Sequence, residues 1–283
     1  MFTWRKLTSA KWEDVWMERL RCVGPTRLAV VRLPGRKSLR IEAYALTRKE
    51  ADGLRRQFGG QVRQVKDKPV SEPPARKPLS IRGRFWVVNS LEAGQKLLNS
   101  HPILVIPAAM AFGTGDHATT ASCLRFLCDV AEIQNGPWDC LDLGTGSGIL
   151  AIAARKLGAR KVEGCDFDPH AVRTAKENVA LNAAGPIRMC QLDVLRWNPV
   201  RMWDVVTANL FSQILIQAVD AIVTAVRPGG TLILSGILLV QEKEVLTAFR
   251  KRGCVFHQTV RKGKWVTLMG NRKRNFKDIG MRA

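Results

Sequence analysis

An α/β fold is what this sequence predicts: a parallel sheet closed by an antiparallel hairpin, with a smaller α+β module ahead of it. Three observations predict it. From Pro137 onward, apolar runs of strand length alternate with amphipathic runs of helix length, the pattern of a parallel sheet covered on both faces. The last two apolar runs, Cys254–Val260 and Lys264–Gly270, are separated only by Arg261-Lys262-Gly263, a link too short for the crossover that a parallel pair needs. The segment up to Val65 runs β-α-β-β-α-β, the order of a ferredoxin-like split motif.

In the first module, Phe2–Leu7 is a strand. Ser9 is placed to cap a helix that runs to Cys22, with Trp12, Val15, Trp16 and Leu20 on one face. Arg27–Leu33 and Leu39–Leu46 are strands on either side of a Pro34-Gly35 turn. Thr47 caps a second helix through Phe58, with Glu50 three residues on as in a capping box. Gly59-Gly60 ends that helix, and Gln61–Val65 completes the sheet. Lys66–Ser80 carries four prolines and six charges and reads as an extended linker. Arg84–Val88 is a strand leading onward. Further strands are expected at Trp138–Leu143, Lys161–Asp166, Ile187–Asp193, Trp203–Asn209 and Thr231–Gly236. The boundaries expected are therefore a module at 1–66, a linker and connecting segment at 67–100, the α/β domain at 101–270 and a basic tail at 271–283.

The chemistry is concentrated at the first α/β turn. Asp142-Leu143-Gly144-Thr145-Gly146-Ser147-Gly148 follows one strand and opens a helix at Ile149. Glycines let the chain turn tightly and let a ligand approach without a Cβ in the way. The helix start behind them offers free N–H groups. Asp166 ends the next strand, at the distance from the loop expected of a carboxylate that grips ribose hydroxyls. The spacing G-x-G-x-G lacks the third glycine of the dinucleotide fingerprint. An acid beside the loop disfavours a pyrophosphate and suits an ammonium group. The cofactor expected is S-adenosylmethionine, which carries an amine and a sulfonium and no phosphate.

Composition limits the setting. The 283 residues are enough for two domains, and 46% are hydrophobic. The seven cysteines form no C-x-x-C pair and the four histidines are scattered, so reduced buried thiols and no metal site are expected. There is no signal-peptide core, and the longest apolar stretch, Thr231–Val240, is too short to span a bilayer. A cytoplasmic protein away from membranes is the expectation. The net charge of +21 divides into +13 over residues 1–100, +1 over 101–260 and +7 over 261–283. Basic flanks on a neutral core point to a polyanion such as rRNA or the ribosome, or to a solvated surface only.

Several segments, taken together, resemble one family. They are Ala111-Phe112-Gly113-Thr114-Gly115-Asp116-His117-Ala118-Thr119-Thr120, the glycine loop, Asp166-Phe167-Asp168-Pro169, Ala208-Asn209-Leu210 and Pro228-Gly229-Gly230. In order and spacing they are similar to the bacterial methyltransferases of large-subunit ribosomal protein eleven, the PrmA family. The resemblance implies a Rossmann-like class I methyltransferase domain behind a ferredoxin-like substrate-recognition domain. It implies methyl transfer from S-adenosylmethionine to lysine amines, and possible transfer to an N-terminal amine, of a ribosomal protein. By the same resemblance Thr120, Gly144, Gly146, Asp166 and Asn209 contact the cofactor, with Asn209 beside the methyl group as the catalytic residue. Phe167 is placed to pack on adenine or to serve as a core aromatic. Asp193 faces the adenine amino group or simply turns the chain. His117 orders its loop or acts on a proton. The chain departs from the family at Asp116 and Ala118, and at Leu210-Phe211-Ser212, all bordering the methyl-acceptor side. Two other readings stay open: an RNA base methyltransferase, and an RNA- or ribosome-binding protein with a vestigial catalytic domain. The intact Gly144, Gly146, Gly148, Asp166 and Asn209 weigh against decay.

Overall fold

The computed structural model describes residues 1–9, 13–20, 23, 27–32, 38–65, 77–95, 97, 101–107 and 117–274. The chain divides into two units, residues 1–74 and 75–283.

The first unit contains β1 (Phe2–Ser9), α1 (Glu13–Arg19), β2 (Leu28–Arg32), β3 (Ser38–Leu46), α2 (Arg48–Phe58) and β4 (Gln61–Gln64). Its sheet order is β2-β3-β1-β4, all antiparallel, which is the ferredoxin-like arrangement expected. Alternate residues of β1 and β3 face the helices: Trp4, Leu39, Ile41 and Ala43 are buried there with Trp16, Leu20 and Leu54. The rings of Trp4, Trp16 and Phe58 meet at centroid distances of 5.6–6.4 Å. Each indole also finds a polar partner, Trp4 Nε1 donating to Gly59 O (2.7 Å) and Trp16 Nε1 to Thr8 Oγ1 (2.9 Å). The capping box forms: Glu50 N donates to Thr47 Oγ1 (3.2 Å) and Thr47 N donates to Glu50 Oε2 (2.7 Å). Ser9 differs from expectation. It is the last residue of β1, paired with Ser38, because the β1–β3 ladder continues to that point. On the other face of the sheet, Glu42 is buried and neutralised by Arg5 (3.0 Å) and Arg40 (2.6 Å), with the Tyr44 hydroxyl donating to it.

The second unit opens with a three-stranded sheet, β5 (Leu79–Ile81), β6 (Phe85–Val88) and β7 (Ile103–Val105), with α3 (Leu91–Gln95) between the last two. The segment expected to connect, 67–100, thus supplies Ile81, Phe85 and Val87 to the main hydrophobic cluster, beside Leu104 and Ile106 of the expected α/β domain. Then follow α4 (Ala118–Ile133), β8 (Asp139–Leu143), α5 (Ile149–Lys156), β9 (Lys161–Asp166), α6 (Pro169–Leu181), β10 (Arg188–Gln191) and β11 (Trp203–Asn209). The rest is α7 (Ser212–Gln217), α8 (Val219–Ala225), β12 (Val226–Leu238), α9 (Glu242–Lys251), β13 (Cys254–Lys262) and β14 (Trp265–Arg272). The seven strands lie in the order β10-β9-β8-β11-β12-β14-β13. β8 to β12 run parallel, and β14 is antiparallel to both its neighbours. This is the doubly wound, hairpin-ended sheet expected of a class I methyltransferase fold. One core cluster packs residues of α4 and α5 on one face, and a second packs residues of α7, α8 and α9 on the other. Asn182, just past α6, locks β7 in place: Val105 N donates to its Oδ1 (2.8 Å) and its Nδ2 donates to Val105 O (2.7 Å). The first two residues of the expected tail, Asn271 and Arg272, complete β14, and 275–283 lie outside the described residues. Among the described residues, no helix is long and apolar enough to cross a membrane.

Candidate functional site

The strand order reverses between β8 and β11, so the connections leaving their C-terminal ends depart in opposite directions and open a crevice there. Residues expected from the sequence collect at this point.

The glycine loop leaves β8 through three left-handed residues, with φ of +71° at Gly144, +55° at Gly146 and +82° at Gly148. Gly144 disfavours a side chain on two counts. The backbone is left-handed, and a Cβ would stand 2.3 Å from Leu210 Cδ2. The loop is sewn to β9 by its own amides. Gly144 N and Thr145 N donate to Cys165 O at 2.8 and 2.9 Å. Gly146 N donates to Asp166 Oδ2 at 2.9 Å. Asn178 of α6 donates from Nδ2 to Ser147 O (2.8 Å).

Asp166 also accepts from Asp168 N at Oδ1 (3.0 Å). Burial raises its pKa above the ordinary carboxylate range, against the pull of those backbone N–H groups. Asp168 then caps α6 by accepting from His170 N (2.9 Å), with Pro169 at the first helical position.

Asp142 has a different place from the one expected. The sequence puts it beside the loop, as if facing a cationic ligand. In the fold its side chain is 0% exposed, and both oxygens are taken by hydroxyls: Thr145 Oγ1 donates to Oδ2 and Thr207 Oγ1 to Oδ1, each at 2.6 Å. Burial pushes its pKa up to about 6. Asp142 therefore anchors the loop to β11 from beneath.

Asn209 ends β11, as expected, on the far side of the crevice. Its Nδ2 donates to Thr119 Oγ1 (3.4 Å), whose hydroxyl also meets His117 Nδ1 (2.7 Å). The His117 ring stands edge-on to Trp265 at 5.1 Å. His117 thus orders the start of α4 through a polar and an aromatic contact. The rest of the expected signature, residues 111–116, lies outside the described residues. Three buried side-chain atoms of the second unit have no hydrogen-bond partner among the described residues: Thr120 Oγ1, Asn209 Oδ1 and Ser212 Oγ. All three belong to the ends of elements bordering the crevice. A buried polar atom without a partner costs about 1–3 kcal/mol, so each is suited to a ligand that satisfies it.

Phe167 and Asp193 stand apart from this network. Phe167 is 60% exposed, so it is not a core aromatic; Gln191 Nε2 donates to its carbonyl (3.1 Å). Asp193 lies beyond the end of β10 at Gln191 and accepts from Leu195 N (3.0 Å). It also pairs with Arg196 (3.8 Å), which makes it a turn residue in this structure. Thr119, Thr145 and Thr207 carry no role in the sequence reading, and Ser212 enters it only as a departure from the family. Thr119 adjoins Thr120 in the signature and so had a local signal, while Thr207 is visible only once β11 lies beside β8.

The residues present fit a polar cofactor. Asp166 offers a carboxylate for hydroxyl groups, the left-handed glycines at 144 and 146 turn the loop tightly beside it, and Thr120 and Asn209 offer unfilled buried acceptors.

Comparison with known proteins bears on the same segments. The model of the family described as ribosomal protein L11 methyltransferase (PrmA) matches residues 40–273. A ribosomal protein L11 methyltransferase of Chelativorans sp. is 40% identical, over 66% of this chain and 65% of that protein. One of Thiobacillus denitrificans is 39% identical, over 68% of this chain and 62% of its own length. The chain thus spans just under two thirds of these curated relatives. The crystal structure of a ribosomal protein L11 methylase from Lactobacillus delbrueckii subsp. bulgaricus superposes with a TM-score of 0.62 at 28% identity, covering 70% of this chain and all of that one.

Proposed function

We propose, from the premise that this chain belongs to the ribosomal protein L11 methyltransferase family, that it transfers methyl groups from S-adenosylmethionine to lysine amines of ribosomal protein L11. The observation that carries this reading is the pairing of a half-buried, loop-linked carboxylate at Asp166 with unfilled buried acceptors at Asn209 and Thr120 across the crevice.

When bound, S-adenosylmethionine supplies an electrophilic methyl carbon on a sulfonium leaving group. Asp166 holds the ribose hydroxyls, and Gly144 and Gly146 let the rest of the cofactor lie against the backbone. Thr120 Oγ1 and Asn209 Oδ1 gain the polar partners they lack. Asn209 accepts a hydrogen bond from the incoming amine and so points its lone pair toward the reacting carbon. The Thr119–His117 pair holds the Asn209 amide in that orientation. A lysine arrives protonated, with an ordinary pKa near 10.4, and the apolar flank at Leu210 lowers that value as water is excluded. Among the described residues at the crevice none is assigned as a general base, and water is assigned the proton. The product remains an amine until the third transfer, so repeated methylation follows.

The first unit is assigned the recognition of the protein substrate. The basic flanks are assigned contact with rRNA or the ribosome, which sets the reaction in the cytoplasm. The test is transfer from labelled S-adenosylmethionine into unmethylated ribosomes, followed by separation of protein and RNA. Label in one ribosomal protein, lost in Asp166→Ala, supports the proposal. Label confined to RNA replaces it with base methylation, and failure to bind S-adenosylmethionine replaces it with a non-catalytic role.

A further inference from the structure

Glu163, Cys165 and Cys190 stand together at one edge of the main sheet. Cys165 and Cys190 are direct partners in the parallel β9–β10 register, and Glu163 is the partner of Arg188. Partners on adjacent strands, and residues two apart on one strand, share a face. All four side chains therefore rise from the same side. The chain between β10 and β11 forms no helix, so this corner has no helical cover: Cys165 is buried, while Cys190 and Glu163 are half-buried.

The three candidate ligand atoms lie within 4.8 Å of one another. Cys165 Sγ and Cys190 Sγ are 3.0 Å apart, and they lie 3.7 and 3.4 Å from Glu163 Oε1. A tetrahedral zinc ion, with bonds of about 2.3 Å to sulfur and about 2.0 Å to oxygen, has sulfur–oxygen edges near ~3.5 Å and a sulfur–sulfur edge near ~3.8 Å. Both sulfur–oxygen edges are already in place. The sulfurs need to part by about 0.8 Å, within reach of a small χ1 change at Cys190. Arg188 binds the other carboxylate oxygen, Glu163 Oε2, at 3.3 Å, which fixes the carboxylate and leaves Oε1 for a ligand bond. Charge closes as well. Two thiolates and a carboxylate, offset by one guanidinium, leave two negative charges for a divalent ion.

We propose that Glu163, Cys165 and Cys190 form a binding site for a thiophilic divalent cation of the zinc class, with a fourth position open to water. Binding displaces the two thiol protons into solvent and changes no oxidation state. The site sits directly behind the glycine loop. The carbonyl of Cys165 receives the amides of Gly144 and Thr145, and the next residue is Asp166. An ion there braces the strand end on which the loop hangs. A disulfide between the same thiols, formed by a peroxide, has no use for the carboxylate and is the competing outcome.

The test is titration of cobalt(II) alone into the full, reduced chain under anaerobic conditions. One cobalt per chain is expected, with thiolate-to-cobalt charge transfer in the near ultraviolet, bleached by zinc. Losses of outer-shell partners alone run to about 10–100-fold, so removing a ligand by Cys190→Ser weakens cobalt binding by about 100-fold or more. Glu163→Gln, at a half-exposed position, weakens binding while keeping the thiolate band, which guards against a folding defect in the cysteine variant. No charge-transfer band while every thiol titrates as free overturns the proposal. So does a band unchanged in Cys190→Ser, or a native mass lower by two hydrogens that reductant restores.

Discussion

Asp139 and Asp142 occupy opposite ends of β8, both shielded from water, and the protein neutralises them by different means. Asp139 is 1% exposed and meets three guanidiniums: Arg160 at 3.1 Å, Arg201 at 3.0 Å and Arg227 at 3.9 Å. Burial alone would raise its pKa, but the Arg160 hydrogen bonds and the three positive charges outweigh burial and hold the carboxyl below its ordinary range. Arg201 in turn lies over the Trp203 ring, 3.8 Å from its centroid. Asp142 is held by threonine hydroxyls and a backbone N–H, and burial carries its pKa up to about 6. One end of the sheet is charge-compensated and complete in itself. The other keeps a buried acid, a second acid at Asp166 raised by burial, and buried acceptors with nothing to accept. A scaffold can satisfy its charges internally, whereas a binding end must leave groups for a ligand to satisfy.

Four measurements break or sharpen this contrast. The largest effect belongs to the compensated end. Asp139→Ala leaves three guanidiniums facing one another and is expected to lower unfolding free energy by about 3 kcal/mol in urea, a value at the low end for a broken buried pair because the arginines reach water. Cofactor affinity is expected to stay within about threefold, since the crevice is untouched. At the other end the effects reverse. Asp166→Ala is expected to weaken S-adenosylmethionine binding about 100-fold by calorimetry, equivalent to ~2.7 kcal/mol, with less change in stability.

Asp142→Asn is the next in size and depends on pH. The native carboxyl titrates at about 6 in the fold, above its ordinary value, so the stability it contributes is present below about pH 4 and lost as pH rises through 6. Relative to the Asn variant, the native protein is therefore expected to lose on the order of 2 kcal/mol between pH 4 and pH 7. Parallel stability curves for the two proteins would show that Asp142 stays charged when folded. Thr207→Val removes one of the two hydroxyls and is expected to cost about 1 kcal/mol at pH 7. The cost should shrink at pH 4, where the carboxyl is already protonated. Equal costs at both values would mean that the Thr207 bond does not discriminate the charged form.

Much of the site is legible along the chain because its signals are local. Lys161–Asp166 and Trp203–Asn209 have the bounds their apolar runs suggest, and their last residues are the ones that face the crevice. The glycine loop is a contiguous word. What the sequence hides is pairing across the sheet. Thr207 reaches Asp142 from 65 residues away. The Glu163–Cys165–Cys190 cluster forms only when β10 lies beside β9, and no metal-ligand spacing marks it. The short strands β5 and β7 on either side of the expected strand at Arg84–Val88 escape notice for another reason. Strands of three residues, β5 directly behind a proline-rich stretch, are too brief to show a period. Asp193 reads as the end of a strand because apolar residues recur up to Leu192, but its carboxylate caps its own turn.

The place of β14 sets an order of assembly during synthesis. β14 follows β13 in the chain yet lies between β13 and β12, pairing with both. As the polypeptide leaves the ribosome, β13 therefore emerges with no neighbour to join, and the edge of β12 stays open until residues 265–272 arrive. That same strand brings Trp265 against His117 at the mouth of the crevice. A nascent chain halted before Trp265 already holds the glycine loop and Asp166, but it lacks the indole that steadies the start of α4. The contact that steadies the start of α4 is thus among the last to be made, because the strand that carries it is the last of the sheet.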